Sequence, residues 1–219
     1  MNVGLIRHFR NYGVFVQLLI AMLLSLVLFG QSHAQTVTLG QVFKQLSATP
    51  LVRAQFQQQK KLGSLNKTFV SNGSIVFSKQ QGVLWQIQHP VQASLIVTPT
   101  RLVQKTQRTY SQIDMAKTPY GSVATMFLQL MSGNEAALTQ HFNVVSVNQN
   151  GSHWNMTLTP KSNLFKKLFV RVEAQGQRYV DSILIIEQAN NSTLIKFSQH
   201  TTQPQALTTG ENALFQLAK

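Results

Sequence analysis

The chain lacks cysteine, since none of its 219 residues is one. No disulfide is therefore available, and the fold must be held by its own apolar core. The absence also excludes a lipid anchor of the bacterial lipoprotein type, which requires a cysteine at the cleavage site. A domain of roughly 150 residues or more buries about 70% of the surface of its unfolded chain, which is enough for such a core.

Acidic residues are scarce: there are 6 Asp and Glu against 19 Lys and Arg, and the formal net charge is +13. A field of this sign favours anionic partners, such as nucleic acid or the phosphate-rich faces of a cell envelope. The basic residues are scattered and do not alternate with aromatic residues, so we expect no nucleic-acid partner. Only 11% of the residues are charged. The polarity therefore comes mainly from amides and hydroxyls, which is typical of a β-rich protein.

Catalytic and metal-binding patterns are also missing. None of the six histidines has the spacing of metal ligands. The chain contains neither a Gly-x-Ser-x-Gly elbow nor a Gly-rich phosphate loop. We therefore expect a protein that is not an enzyme and that binds no metal and no cofactor. The six acids are dispersed and form no close pair for acid–base catalysis; they are Asp114, Glu135, Glu173, Asp181, Glu187 and Glu211.

The first 34 residues have the composition of a secretory signal peptide. A basic head at residues 7–10 precedes the sixteen uncharged residues 14–29, and the small residues Ser32 and Ala34 occupy the positions that a signal peptidase recognises. Sixteen helical residues span about 24 Å, which is short of the roughly 30 Å hydrocarbon core of a bilayer. We expect cleavage after Ala34 and export to the periplasm. An uncleaved membrane anchor is the alternative.

Residues 35–219 are predicted to form one mainly β domain, because no repeat, linker or composition break divides them. About ten or eleven short strands are indicated by alternating apolar and polar residues between turn residues. The predicted strands are 52–57, 69–78, 83–89, 93–98, 102–106, 109–113, 142–147, 153–159, 168–174, 179–187 and 193–198.

Helical spacing occurs in three segments. Thr38 can cap a helix whose apolar face begins at Leu39 and ends at Leu46. A second apolar stripe runs through residues 123–131, and a short helix is predicted from Glu135 to about His141. The turn between the first two strands is predicted over 60–67, and the tail at 209–219 fits either a strand or a helical turn.

A long antiparallel sheet curls as its strands accumulate twist. Short apolar helices placed against its concave side would leave a cavity suited to an apolar ligand. The expected fold is therefore an incomplete antiparallel β-barrel, or half-barrel, closed by short helices that form a lid over an apolar cavity.

Several motifs along the chain resemble those of the periplasmic outer-membrane lipoprotein carrier family, which is LolA-like. The similarity extends over nearly all of residues 35–219, and its strength lies in the order and spacing of motifs that are individually weak. The matching segments are 52–58 (x-x-F-x-Q), 72–77 with 83–85 and 89–90 (G-x-L…W…P), 94–98, 158–161 (L-T-P-K), and the last hairpin at 186–188 and 193–197.

The resemblance implies a carrier that holds the acyl chains of lipoproteins in its cavity and moves them from the inner to the outer membrane. It implies an inner-membrane ABC-type release complex as donor and an outer-membrane protein as acceptor. We expect the carrier to be a monomer. Flexible methionines suit a wall that accepts variable acyl chains. The residues expected to line the cavity are Trp85, Ile87, Leu95, Val97, Met126, Phe127, Leu130 and Met131.

The chain departs from the family at two positions. After the strand at 94–98 it has Pro99-Thr100 in place of the family's Asp-Gly. The other departure is at a functional position. Where the family has Arg-Pro before the tryptophan strand, this sequence has Lys79, Gln80 and Gln81. The family's arginine is associated with latching the helical lid, and glutamine lacks the charged fork that binds several carbonyls. A divergent carrier of a glycolipid or a fatty-acyl conjugate is therefore an alternative function. A lipid- or lipoprotein-sensing module and an enzyme acting on lipids are the others.

Overall fold

The structure is a computed structural model that describes residues 38–114, 128 and 134–219. The predicted signal peptide lies outside the described residues. So does the predicted helical stripe at 123–131, with the exception of Leu128.

One antiparallel sheet of eleven strands dominates the described part of the chain. Its spatial order is β6-β5-β4-β3-β2-β1-β11-β10-β9-β8-β7, and the edge strands β6 and β7 leave it open. The mainly β class, the antiparallel pairing and the number of strands are therefore confirmed. The strands are β1 (Leu51–Leu62), β2 (Lys67–Ser78), β3 (Gly82–His89), β4 (Ala93–Val97), β5 (Arg101–Thr106), β6 (Tyr110–Asp114), β7 (Phe142–Asn150), β8 (His153–Pro160), β9 (Phe169–Gly176), β10 (Val180–Glu187) and β11 (Ser192–Thr201).

Four short α-helices accompany the sheet among the described residues. The first begins as predicted, because the Thr38 side chain accepts a hydrogen bond from the backbone N–H of Gln41 while the Gln41 side chain accepts one from the backbone N–H of Thr38. No described helix is long and apolar enough to span a bilayer. The helices are α1 (Leu39–Ser47), α2 (Glu135–His141), α3 (Asn163–Leu168) and α4 (Thr209–Gln216).

Three local predictions are corrected or resolved. The turn predicted over 60–67 is shorter, because β1 continues to Leu62 and a 3₁₀ turn at Gly63–Leu65 leads directly into β2. The helix α3 was not predicted; it begins after Ser162, whose side chain accepts a hydrogen bond from the backbone N–H of Phe165. The tail is a helix rather than a strand, since Thr208 and Glu211 form a capping box.

The two faces of the sheet carry different layers. We call the face that bears Leu84, Ile96 and Val103 the back face, and there α4 packs through Phe215. We call the face that bears Trp85 the front face. Alternation along each strand places neighbouring side chains on opposite faces, so the strand sequences determine both layers.

At β7, β8 and β9 the front face is covered by helices. Leu39, Val42 and Phe43 of α1 pack with Leu138 of α2 and Phe165 of α3. They form one buried cluster with four side chains of β7 and β8, which are Phe142, Trp154, Met156 and Leu158. This half of the front face is an ordinary packed core.

Candidate ligand site on the front face

The four predicted cavity residues that the structure describes lie together on the front face. Trp85 of β3 pairs with Leu95 of β4, and Val97 pairs with Val83. Trp85, Ile87, Leu95 and Val97 belong to one hydrophobic cluster, which also includes Leu128. The other four predicted cavity residues, Met126, Phe127, Leu130 and Met131, lie outside the described residues.

An aromatic group forms the centre of this cluster. The rings of Phe56 and Trp85 have centroids 4.1 Å apart, and Phe197 meets Trp85 edge-on at 6.2 Å. Such tilted and edge-on contacts are the favoured geometries of aromatic pairs. The sequence predicted Phe56 and Phe197 as strand residues but not as part of the site. Their proximity depends on the pairing of β1 with β11, which no local pattern indicates.

Side chains on the two faces of β3 and β4 differ in how far they are exposed. Leu84, Ile96 and Val103 lie behind the site, and each has 0% of its surface exposed. At the adjoining positions of the same strands, Trp85 and Leu95 on the front face are only partly buried. The chain therefore leaves part of an apolar surface accessible on the front face at β3 and β4.

A small cavity of about 60 Å³ adjoins the aromatic group. Leu46 of α1 and Ile183 of β10 form part of its wall. At its edge the rings of Tyr179 and His200 stack with centroids 5.1 Å apart. Ligand pockets usually measure about 300–1,000 Å³, so a long chain would also need the partly buried residues around Trp85. The wall of the cavity and the hydrophobic cluster around Trp85 share Ala54, Ile75, Phe77 and Phe197.

A polar group limits the apolar surface on the other side. On β1, Lys60 lies on the same face as Phe56, and its Nζ is 2.5 Å from Oε2 of Glu187. The Thr193 hydroxyl donates a 2.6 Å hydrogen bond to Oε1 of the same carboxylate. The apolar front face therefore ends in a partnered lysine and glutamate rather than in open solvent.

The segment predicted to affect the latch forms the turn between β2 and β3. The backbone N–H of Lys79 donates to the carbonyl of Pro50, and its Nζ lies 3.5 Å from the carbonyl of Ser47. The backbone N–H of Gln81 donates to the Ser78 hydroxyl. Lys79 and Gln80 are exposed. The hydrogen bonds of Lys79 therefore go to the end of α1 and to the segment between α1 and β1. The effect of Gln80 and Gln81 on a lid stays a prediction.

No group of three His, Cys, Asp or Glu residues in the described ranges could hold a metal ion. The fold is a mainly β open sheet, and its front face carries a half-covered apolar surface. The sequence matches the family model of the outer membrane lipoprotein carrier protein LolA over residues 47–217. This chain therefore belongs to the LolA family, and the resemblance inferred from its motifs is confirmed. Proteins of this family are carrier-like lipid or lipoprotein binders of the cell envelope rather than enzymes.

Similar solved structures are distant in sequence. A LolA superfamily protein from Nitrosomonas europaea has 8% identity and a TM-score of 0.45, with 82% of this chain and 97% of that chain covered. A DUF1329 family protein from Desulfovibrio piger has 8% identity and a TM-score of 0.44, with 77% and 92% covered. The Pseudomonas aeruginosa MucA/MucB complex has 8% identity and a TM-score of 0.43, with 79% and 62% covered. No curated protein sequence matches the chain.

Proposed function

We propose that the protein binds the acyl chains of a lipid-bearing cargo on the front face and carries them across the periplasm. The cargo class is an acylated lipoprotein or another acylated amphiphile. In this proposal the predicted signal peptide is removed after Ala34. An inner-membrane ABC-type release complex supplies the cargo, and an outer-membrane protein accepts it.

The contrast between the two faces supports this function. On the back face, α4 buries Leu84 and Ile96 completely. On the front face, Trp85, Ile87 and Leu95 stay partly accessible beside a small apolar cavity. A protein that needed this surface only for its own stability would gain free energy by covering it in the same way. Leaving it accessible suits a ligand that is itself apolar.

The energetics favour partial burial of the cargo. Each buried methylene contributes about 0.8 kcal/mol, so complete burial of a long acyl chain would hold it too tightly for release. The polar end of the front face at Lys60 and Glu187 limits the depth of apolar contact. A surface of this extent binds the chain while the hydrophilic part of the cargo stays in water.

A fluorescent acyl probe tests the site directly. We expect Leu95→Glu to fold with a cooperative melt and to lose probe binding by more than tenfold, because the carboxylate would lie in the acyl site but can still reach water. Gln57→Glu is the matched control, since Gln57 is exposed on the back face and the variant adds the same charge. This control should bind the probe like the wild type.

Ile96→Glu calibrates the experiment. Ile96 follows Leu95 in the chain but is fully buried under α4, so an unpaired carboxylate there should unfold the protein. The proposal is wrong if Leu95→Glu folds and retains full probe binding. It is also wrong if the wild type binds no acyl probe, or if a deacylated cargo displaces the probe as well as the acylated cargo does.

A further inference from the structure

The large apolar side chains that the described residues expose are not spread over the surface. They are 47–68% exposed, and each belongs either to a turn or to the half of a strand next to the same end of the sheet. These side chains are Leu65, Phe69, Val70, Val91, Tyr110, Val145 and Val170.

The strand registers place them at one end. Leu62 pairs with Lys67 next to the β1–β2 turn, and Lys61 pairs with Ser192 at the start of β11. Ile87 pairs with Ala93 next to the β3–β4 turn. The same end includes the β5–β6 and β10–β11 turns and the beginnings of β7 and β9. We call it the hairpin end.

Positive charge is concentrated at the same end. Two of the basic residues there are paired, Lys60 with Glu187 and Arg171 with Glu173. Seven more raise the local charge, so the exposed apolar side chains are surrounded by cations. Those seven are Lys61, Lys67, Lys105, Arg108, Lys161, Lys166 and Lys167.

We propose that the hairpin end docks on the surface of an anionic phospholipid bilayer. Exposed apolar side chains beside lysines are the chemistry of interfacial membrane binding, in which the apolar groups enter the headgroup region and the cations meet lipid phosphates. The β1–β2 hairpin leads this contact, because Leu65 and Phe69 are 56% and 53% exposed on the hairpin that also bears the exposed Lys61 and Lys67. The charge complementarity selects an anionic bilayer rather than a neutral one.

The front face of the sheet connects the docking surface to the acyl site. Phe69 pairs with Lys60, and Lys60 lies on the same face of β1 as Phe56, so Phe69 also belongs to the front face. A chain drawn from the bilayer along this face would pass the Lys60–Glu187 pair and reach the aromatic group around Trp85. This inference rests on the proposed function only for the reason why the protein would dock on a membrane. Vesicle binding itself does not require that the front face accept an acyl chain.

Vesicle co-sedimentation tests the docking surface with full-length mature protein. We expect binding to vesicles of phosphatidylglycerol and phosphatidylcholine, weaker binding as salt is raised, and much weaker binding to phosphatidylcholine alone. The double variant Lys61→Gln/Lys67→Gln should bind more than tenfold more weakly, since each lysine near an anionic surface contributes roughly fivefold. Lys44→Gln/Lys79→Gln is the control with the same change in net charge, because both residues are exposed and lie away from the hairpin end. Lys79 is in the β2–β3 turn at the opposite end of the sheet, and Lys44 precedes Gln45, whose side chain donates to the carbonyl of Gln177 at that same opposite end.

A fluorescence measurement reports insertion of the hairpin. The variant Phe69→Trp should show a blue-shifted emission when anionic vesicles are added, and Leu65→Ser/Phe69→Ser should bind vesicles weakly while retaining the wild-type melting temperature. Failure of the wild type to sediment with anionic vesicles at low salt overturns the proposal. Equal losses in the two lysine double variants also overturn it, because they would indicate an effect of net charge alone.

The acyl probe separates this proposal from the proposed function. The hairpin variants should bind the free probe like the wild type, and Leu95→Glu should still sediment with vesicles. If vesicle binding is retained while no variant or wild type binds the probe, the docking surface stands and the acyl site fails. If the wild type binds the probe but does not bind vesicles, the docking surface fails and the acyl site stands.

Discussion

Arg53 and Glu211 form a bidentate ion pair that joins β1 to α4 on the back face. Arg53 Nε lies 2.7 Å from Glu211 Oε1, and Nη2 lies 2.7 Å from Oε2. The same guanidinium donates to the backbone carbonyls of Pro204 and Ala206. Glu211 in turn accepts from the backbone N–H of Thr208 as part of the helix cap. Arg53 therefore contacts both the segment that precedes α4 and the first turn of that helix.

The first prediction concerns the pH dependence of this pair. The hydrogen bonds from Arg53 hold the pKa of Glu211 below its ordinary value, although burial opposes them. A carboxyl with a lowered folded-state pKa adds stability above its unfolded pKa, about 4.3, and this stability is lost as the pH falls through the folded value. At pH 7, Glu211→Gln should cost roughly 2 kcal/mol of unfolding free energy, somewhat less than breaking a fully buried pair.

Urea denaturation at pH 7 and at pH 3 measures the effect. The loss of unfolding free energy caused by Glu211→Gln should be smaller at pH 3 than at pH 7, because pH 3 lies below the unfolded-state pKa and the unfolded wild-type chain then binds a proton that the ion pair with Arg53 disfavours. Glu173→Gln is the control, since the Arg171–Glu173 pair is 48% and 39% exposed and should contribute about 0.5 kcal/mol or less. A difference that is the same at both pH values would contradict the assignment.

The second prediction concerns Gly73 in β2. A Cβ at this position would lie 1.9 Å from the backbone carbonyl oxygen of Gln86, so an alanine must push β2 and β3 apart. We expect Gly73→Ala to destabilise the protein by about 2 kcal/mol or more, as overpacking does. Gly210→Ala in α4 meets nothing within 4 Å and should instead raise stability by up to about 1 kcal/mol. Thermal or urea denaturation measures the stability of the two variants. If both change the unfolding free energy in the same direction and by a similar amount, steric contact with Gln86 is not the cause.

The third prediction uses the two tryptophans as reporters. Trp85 is partly buried at the proposed acyl site, whereas Trp154 is 2% exposed and donates its Nε1–H to the carbonyl of Gln177. An acyl ligand should therefore change the emission of Trp85 and leave that of Trp154 constant. We expect Trp154→Phe to retain the ligand-induced change and Trp85→Phe to lose it. If Trp154→Phe loses the ligand-induced change and Trp85→Phe retains it, the acyl ligand binds in the helix-covered half of the front face instead.

Sequence analysis predicted the features that depend on neighbouring residues. The α1 cap is one example, because Thr38 and Gln41 are three positions apart. The positions of β3 and β4 are another, because Trp85 and Leu95 belong to clear alternating segments. The turn between β1 and β2 was predicted too long because Lys60 and Lys61 are polar. They nevertheless pair with β2 and β11, since strand ends tolerate exposed charge.

The features that sequence analysis missed depend on distant residues or on very short elements. Phe56 and Phe197 are 141 positions apart, and only the β1–β11 pairing brings both to Trp85. Arg53 was interpreted as the polar side of a strand, because nothing local connects it to Glu211. The helix α3 has six residues, which is too short to show a helical period between two strands.

Because β1 lies between β2 and β11, the sheet stays incomplete during synthesis until the last strand has been made. The strands β1 to β6 form one run of sequential neighbours and β7 to β11 form another, and the β1–β11 ladder alone joins the two runs within the sheet. A chain released before Ser192 would present β1 with an unpaired row of backbone amides and carbonyls in the middle of the future sheet. Such an edge recruits other strands and promotes aggregation. The nascent protein thus carries its greatest association hazard until its last strand has been supplied, and a chaperone that recognises extended apolar segments would protect it for that whole interval.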